Sequence, residues 1–176
     1  KLFANDINIL PRILQEGGRP AFKMRAALAS TLSSLYGIYN SYELCEADAL
    51  PGTEDYRNSE VFQYKVWDWD RPGNIKDYIA KLNRIRRENP ALHYYDNLRF
   101  YGSTNEHILC YGKASLDRKN IILIIVNLDP FNTQQGRVTL PLEGLGIPSD
   151  GKYRVRELIT NKVYTWQGRE NYVRLD

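Results

Sequence analysis

The sequence predicts a mixed fold class: an α/β segment followed by an all-β domain. Two observations carry this. Apolar residues recur at three-and-four spacing from Phe22 to Leu35 and again from Ile75 to Ile85, the period of helices with one buried face. Beyond Leu98 they gather instead into short β-type runs separated by Gly, Pro, Asn and Asp, the pattern of an antiparallel β-sandwich. The boundary is expected near His93, dividing the chain into 1–92 and 93–176.

Leu2 to Ala4 reads as a short strand, and Asn5 to Asn8 as the polar turn that leaves it. A short helix is expected from Leu10 to Gln15, ended by Gly17 and Gly18. Pro20 then suits the first turn of the next helix, where its missing N–H costs little. That helix should bury Phe22, Met24, Ala27, Leu28, Thr31, Leu32 and Leu35. Tyr36 to Leu44 is poor in helix formers, so Gly37-Ile38-Tyr39 reads as a second strand.

A polar stretch with no sustained period runs from Ala47 to Gly73. A loop of this length in a compact domain is usually functional or disordered. Its Tyr56, Phe62, Tyr64, Trp67 and Trp69 predict order, because disordered segments are poor in aromatics. Asn74 caps the following helix, whose stripe Ile75, Tyr78, Ile79, Leu82 and Ile85 ends at Asn89-Pro90. Seven β-type runs complete the chain: Leu98 to Tyr101, His107 to Ala114, Ile121 to Asn127, Gly136 to Leu142, Tyr153 to Ile159, Val163 to Trp166 and Tyr172 to Leu175.

The 24 basic and 21 acidic residues leave a net charge of only +3, which argues against a nucleic-acid partner. The cluster Arg84, Arg86 and Arg87 reads as a solvated helix face. Ile121 to Val126, the longest strongly apolar run, is too short to span a bilayer, so no membrane partner is expected. Cys45 and Cys110 suit reduced thiols in a cytoplasmic protein, with a bridge between them left open. His93 and His107 lack metal-ligand spacing and there is no Gly-rich phosphate loop, so no metal or other cofactor is expected. A start without Met or a signal-peptide pattern leads us to expect a fragment.

The order of elements and the exit Leu82-Asn83-Arg84-Ile85-Arg86-Arg87-Glu88-Asn89-Pro90-Ala91-Leu92 resemble the end of α-amylase-superfamily enzymes, glycoside hydrolase family 13. Two further stretches, Gly17-Gly18-Arg19-Pro20-Ala21-Phe22-Lys23 and Tyr36-Gly37-Ile38-Tyr39-Asn40-Ser41-Tyr42-Glu43-Leu44-Cys45-Glu46, resemble the α-1,4-glucan:maltose-1-phosphate maltosyltransferases. The resemblance covers residues 2–92, with the sandwich adding only architecture.

It implies that 1–92 is the C-terminal fragment of a TIM (β/α)8 barrel, and that 93–176 is the superfamily's C-terminal β-sandwich. It also implies a retaining transfer of maltosyl units from a sugar phosphate donor to α-1,4-glucan or a maltooligosaccharide. The nucleophile and the acid would lie on earlier barrel strands, so the fragment alone should be inactive. Two strands cannot close a barrel, so self-association or a missing N-terminal barrel portion is expected.

The resemblance places one catalytic position within the chain. Matching Phe3, Asn5, Ile9 and Leu10 to the family's Phe-x-Asn-Thr-Pro-Asp-Ile-Leu sets Asn8 where the transition-state-stabilising Asp is expected. A neutral amide lacks the charge that opposes developing positive charge. Asp6 could take the role only if the turn differs from the family's. Ser59-Glu60-Val61-Phe62 stands where the family reads Ser-Glu-Lys-Tyr, so Val61 and Phe62 forgo a cation and a phenolic hydroxyl toward the sugar. Asn5, Asp6, Glu43, Val61 and Phe62 are the candidate substrate-binding residues.

Plainer readings stand beside these. Asn5, Asp6 and Asn8 are also ordinary turn and capping residues, and Glu43 and Glu46 are equally loop acids paired with Arg or Lys. Trp67-Asp68-Trp69-Asp70 either stacks on sugars or anchors the loop. A glucan-binding or scaffold module, the tail of another α-amylase-type hydrolase and a catalytically degenerate homologue are the competing functions.

Overall fold

The computed structural model describes residues 1–176, which form two compact units, Lys1–Asn83 and Arg84–Asp176. In the first, β1 (Leu2–Phe3) and β2 (Tyr36–Gly37) pair in parallel, Leu2 opposite Tyr36 and Phe3 opposite Gly37. The chain between them forms α1 (Arg12–Leu32), so the three elements make a βαβ unit. Parallel neighbours require such a crossover.

α1 is two helices joined at Gly18, whose φ of 54° and ψ of −151° are not helical. Glycine adopts that conformation without the Cβ penalty. The expected break at Gly17-Gly18 is present, with Pro20 in the first turn that follows. The buried face differs from the expected stripe. Phe22 and Thr31 are buried, but Met24, Ala27 and Leu28 are only half-buried and Leu35 is exposed, whereas Ala21, Ala26, Ala29 and Ser30 face inward. Small residues take the inner face, a choice that hydrophobicity alone does not reveal.

The second strand lies one residue earlier than expected and is shorter. Beyond Gly37, the Tyr39 amide donates to the Asn5 side chain at 2.9 Å, so a side chain replaces the ladder. A 3₁₀ turn, Tyr42–Leu44, follows between left-handed Ser41 and Cys45. Tyr42 is buried against Phe22, ring centroids 5.0 Å apart, and its hydroxyl donates to the Phe22 carbonyl at 2.6 Å.

The loop from Ala47 to Gly73 is an ordered chain of turns. Tyr56 and Trp67 anchor it, whereas Phe62 and Tyr64 project into solvent. α2 (Lys76–Glu88) begins where Asn74 Oδ1 accepts the Lys76 amide, and it buries Ile79 and Leu82. The division between units runs through this helix.

The second unit holds seven strands, one for each expected run: β3 (Arg99–Ser103), β4 (Ile108–Ala114), β5 (Ile121–Asn127), β6 (Gln134–Thr139), β7 (Lys152–Arg156), β8 (Val163–Gln167) and β9 (Glu170–Leu175). Five form an antiparallel sheet in the order β5-β4-β3-β6-β9, and β7-β8 form a separate hairpin. Ile108, Cys110, Val138, Leu140, Leu142 and Val173 make the core, with Tyr153 and Trp166 of the hairpin packed on it. The alternation of inward and outward residues along β9 is the sequence period of a half-buried strand.

Candidate functional site

β1 and β2 are parallel, so their C-terminal ends open on the same side, and α/β sheets carry their sites at such ends. Two segments leave there: the turn Ala4 to Leu10, and the stretch from Ile38 into the long loop.

Asn5 joins them. Its side chain is buried, donates to Tyr56 Oη at 2.8 Å and accepts the Tyr39 amide at 2.9 Å. One amide thus pins the exit of β1, the exit of β2 and the long loop. Both functional ends of Asn5 are occupied within the protein, so it acts here as a positioning residue. Asp6 closes the turn itself, because its Oδ1 accepts the amides of Asn8 at 2.7 Å and Ile9 at 2.9 Å. Its carboxylate is a local cap, the behaviour expected of Asp in turns. Asn8 sits in the same turn with its side chain exposed.

The long loop is tied to this turn from the other side. The Glu54 carbonyl accepts the Leu10 amide at 2.7 Å and its carboxylate accepts the Arg12 amide at 2.9 Å. Glu60 is the second anchor. It accepts from Tyr39 Oη at 2.5 Å, Trp67 Nε1 at 2.9 Å and Asn40 Nδ2 at 3.0 Å, while the Lys65 ammonium lies 4.4 Å from the centroid of the Trp67 ring. The Tyr39 hydrogen bond, with those of Trp67 and Asn40, holds the Glu60 carboxyl below its usual range against a weaker opposing effect of burial. Burial and the same carboxylate push the Tyr39 phenol up, so it stays protonated as the donor.

Glu60 therefore organises the loop from which Val61 and Phe62 project. Those six residues from Glu60 to Lys65 line an open recess of about 410 Å³, and Phe62 is 86% exposed. Glu43 is half-buried and holds α2 through its carbonyl, which accepts the Ile75 amide at 2.7 Å. Glu46 pairs with Arg71 at 3.3 Å, the plainer role open to these acids. Asn5, Asp6 and Asn8 thus share one turn, whereas Val61 and Phe62 stand on a loop joined to it through Tyr39 and Glu60.

Sequence reasoning passed over Glu60, Tyr39 and Tyr56, although Glu60 lies in a stretch that it singled out. The available signal was an acid within an aromatic-rich loop. Its partners at positions 39, 40 and 67 show no local periodicity with it.

Residues 100–176 match the family model described as GLGE, C-terminal. Over 99% of its length the chain is 49% identical to the α-1,4-glucan:maltose-1-phosphate maltosyltransferase of Myxococcus xanthus and 50% identical to that of Rhodospirillum rubrum. The chain is similar to the C-terminal quarter of these maltosyltransferases. It spans 26% and 25% of the length of these two relatives. Its fold is similar to that of the maltogenic α-amylase AmyB from Thermotoga neapolitana, with a TM-score of 0.67 at 14% identity over 99% of this chain and 39% of that one. An Anoxybacillus α-amylase matches likewise, with a TM-score of 0.66 at 16% identity over 99% of this chain and 35% of the other. The all-β unit, a five-stranded antiparallel sheet with a separate hairpin, coincides with the residues that the C-terminal family model matches.

Proposed function

We propose that this chain is the C-terminal portion of a retaining glycosyltransferase that moves maltosyl units from maltose 1-phosphate to α-1,4-glucan. The observation that carries the reading is identity near 50% along the whole chain to enzymes named for that transfer. In this reading residues 1–92 are the last strand-helix units of a (β/α)8 barrel, with β1 and β2 as adjacent strands, and 93–176 are its C-terminal sandwich. The two free thiols agree with a cytoplasmic setting.

Within the barrel, the turn after β1 contributes to the rim around the reacting sugar, since barrel sites are built at the C-terminal ends of strands. Asn8 occupies the position of the stabilising carboxylate. Asp6 caps the turn two residues earlier, its Oδ1 accepting the amides of Asn8 and Ile9. Closely spaced carboxylates of retaining chemistry must then come from elsewhere in the longer protein, and a neutral amide at the third position lowers the rate of the chemical step. Val61 and Phe62 give the donor pocket an apolar lip in place of polar contacts.

Incubating the chain with maltose 1-phosphate and a maltooligosaccharide tests this division of labour. No phosphate should be released by the chain alone, and release by it would refute the placement of the catalytic carboxylates outside it. A second reading, a glucan-binding module, is favoured by Phe100, Tyr164 and Tyr172 exposed on the β unit, because aromatic faces stack on sugars. Titration of the chain with maltooligosaccharides distinguishes it. Saturable binding lost in Phe100→Ala or Tyr172→Ala supports the module, and its absence leaves the sandwich a scaffold.

A further inference from the structure

Arg19 and Lys23, four residues apart on α1, share one helix face. That face meets two other segments of the same unit. The Arg19 guanidinium donates to the Asn74 carbonyl at 3.4 Å, and the Lys23 ammonium lies 5.5 Å from the centroid of the Tyr78 ring. The Cys45 thiol faces the carbonyl of the neighbouring Gly73 at 3.9 Å. Arg71 joins them from the end of the long loop. Its Nε donates to the Leu44 carbonyl at 2.9 Å, and its own carbonyl accepts Asn74 Nδ2 at 2.8 Å.

The charges of this cluster do not balance. Arg71 pairs with Glu46 at 3.3 Å, but neither Arg19 nor Lys23 has a carboxylate within 4.0 Å. Partial burial, and then the neighbouring Arg19 charge, hold the Lys23 pKa below the ordinary lysine range. Burial raises the Cys45 pKa, and Arg19, Arg71 and Lys23 all oppose it, so the three charges act on one half-buried sulfur. Like charges gathered in a partly buried place without a counter-ion are destabilising, and an anion among them relieves this. Three cations less the Glu46 carboxylate leave a charge of two, the complement of a dianion. The donors suit a phosphoryl group. A planar guanidinium offers parallel N–H bonds to two of its oxygens, and an ammonium adds a point charge.

We infer that Arg19 and Lys23, with Arg71 beside them, form a phosphate-binding site between α1, the turn at Cys45 and the segment Gly73 to Tyr78. It takes a phosphoryl dianion, as the free ion or as a phosphomonoester. The site uses none of the residues of the β1 turn or of the recess from Glu60 to Lys65, so it stands independently of the transfer reaction.

Cys45 reports on the site. It is half-buried whereas Cys110 is 1% exposed, so iodoacetamide alkylates Cys45 first in the whole native chain. A dianion seated among the cations covers the sulfur and cancels the charges that favour its thiolate. Inorganic phosphate should therefore slow alkylation saturably, about tenfold at about ten times its Kd, and chloride at equal ionic strength should not. Arg19→Gln and Lys23→Gln, at an exposed and a half-buried position, should each weaken phosphate binding roughly tenfold. Maltose 1-phosphate, with maltose as its control, separates the two sources. Protection by both phosphates assigns the site to the phosphoryl group in either form, by inorganic phosphate alone to the free ion, and by maltose 1-phosphate alone to a monoester. Alkylation indifferent to both, slowed as much by chloride or by maltose, or protected in either variant as strongly as in wild type overturns the site. The comparison of phosphate with chloride on wild type needs no substitution, so it decides the matter should a variant fold poorly.

Discussion

Replacing Asn5 by alanine removes both hydrogen bonds of a buried side chain at once. The Tyr39 amide and the Tyr56 hydroxyl each lose a partner, at 2.9 and 2.8 Å, and Tyr56 is buried. Two net bonds of about 1 kcal/mol each, with part of the desolvation cost of the orphaned groups, amount to about 3 kcal/mol. Urea unfolding followed by intrinsic fluorescence measures this, with an unchanged m-value required for the shift to report stability. Tyr56→Phe removes only the bond to Asn5 and should cost about 1 kcal/mol. The double variant Asn5→Ala/Tyr56→Phe should fall short of the sum by about 1 kcal/mol, because both changes delete one shared contact. A cost for Asn5→Ala below about 0.5 kcal/mol, the range of an ordinary surface change, would refute the reading of Asn5 as the pin between strand exits and loop.

Glu60 has its carboxyl held below the usual range by Tyr39, Trp67 and Asn40. A depressed folded pKa means that its stabilisation is present above the unfolded value near 4.5 and is lost as pH falls through the lower folded value. Trp67 emission should therefore change on acidification below about pH 4.5 in wild type and not in Glu60→Gln. Gly18→Ala places a Cβ on a backbone at φ 54° and ψ −151°, and should cost about 1–3 kcal/mol in thermal unfolding. Lys113 is buried, with its ammonium donating to the Tyr94 carbonyl at 2.7 Å, and burial lowers its pKa. Its charge burdens the folded state below that lowered value, so wild-type stability should rise with pH toward 10.5 and Lys113→Met should flatten the rise.

The β half was legible because each strand announces itself locally. Ile121 to Asn127 is a bounded apolar run and became β5, and the turn residues between runs mark the connections. The break in α1 was equally readable, since Gly17-Gly18 followed by Pro20 permits little else. The end of β2 was not. It depends on the Asn5 side chain taking the Tyr39 amide across 34 residues, and no local preference carries that information. The inner face of α1 escaped for a related reason, because Ala26, Ala29 and Ser30 are buried by what approaches them and not by their own hydrophobicity. Of the candidate site, the turn residues could be named in advance. Asn5's inward orientation, Asp6's capping and the place of Glu60 at the centre of the loop are tertiary facts.

The most direct test of the central claim is phosphate release from maltose 1-phosphate, with a maltooligosaccharide acceptor, by the longer protein that we propose contains this chain. It should transfer maltosyl units weakly as wild type, and Asn8→Asp, which restores a carboxylate at an exposed position of the β1 turn, should raise the rate by roughly tenfold or more without a matching change in KM. No phosphate release by either form, or an unchanged rate in Asn8→Asp, would contradict the account.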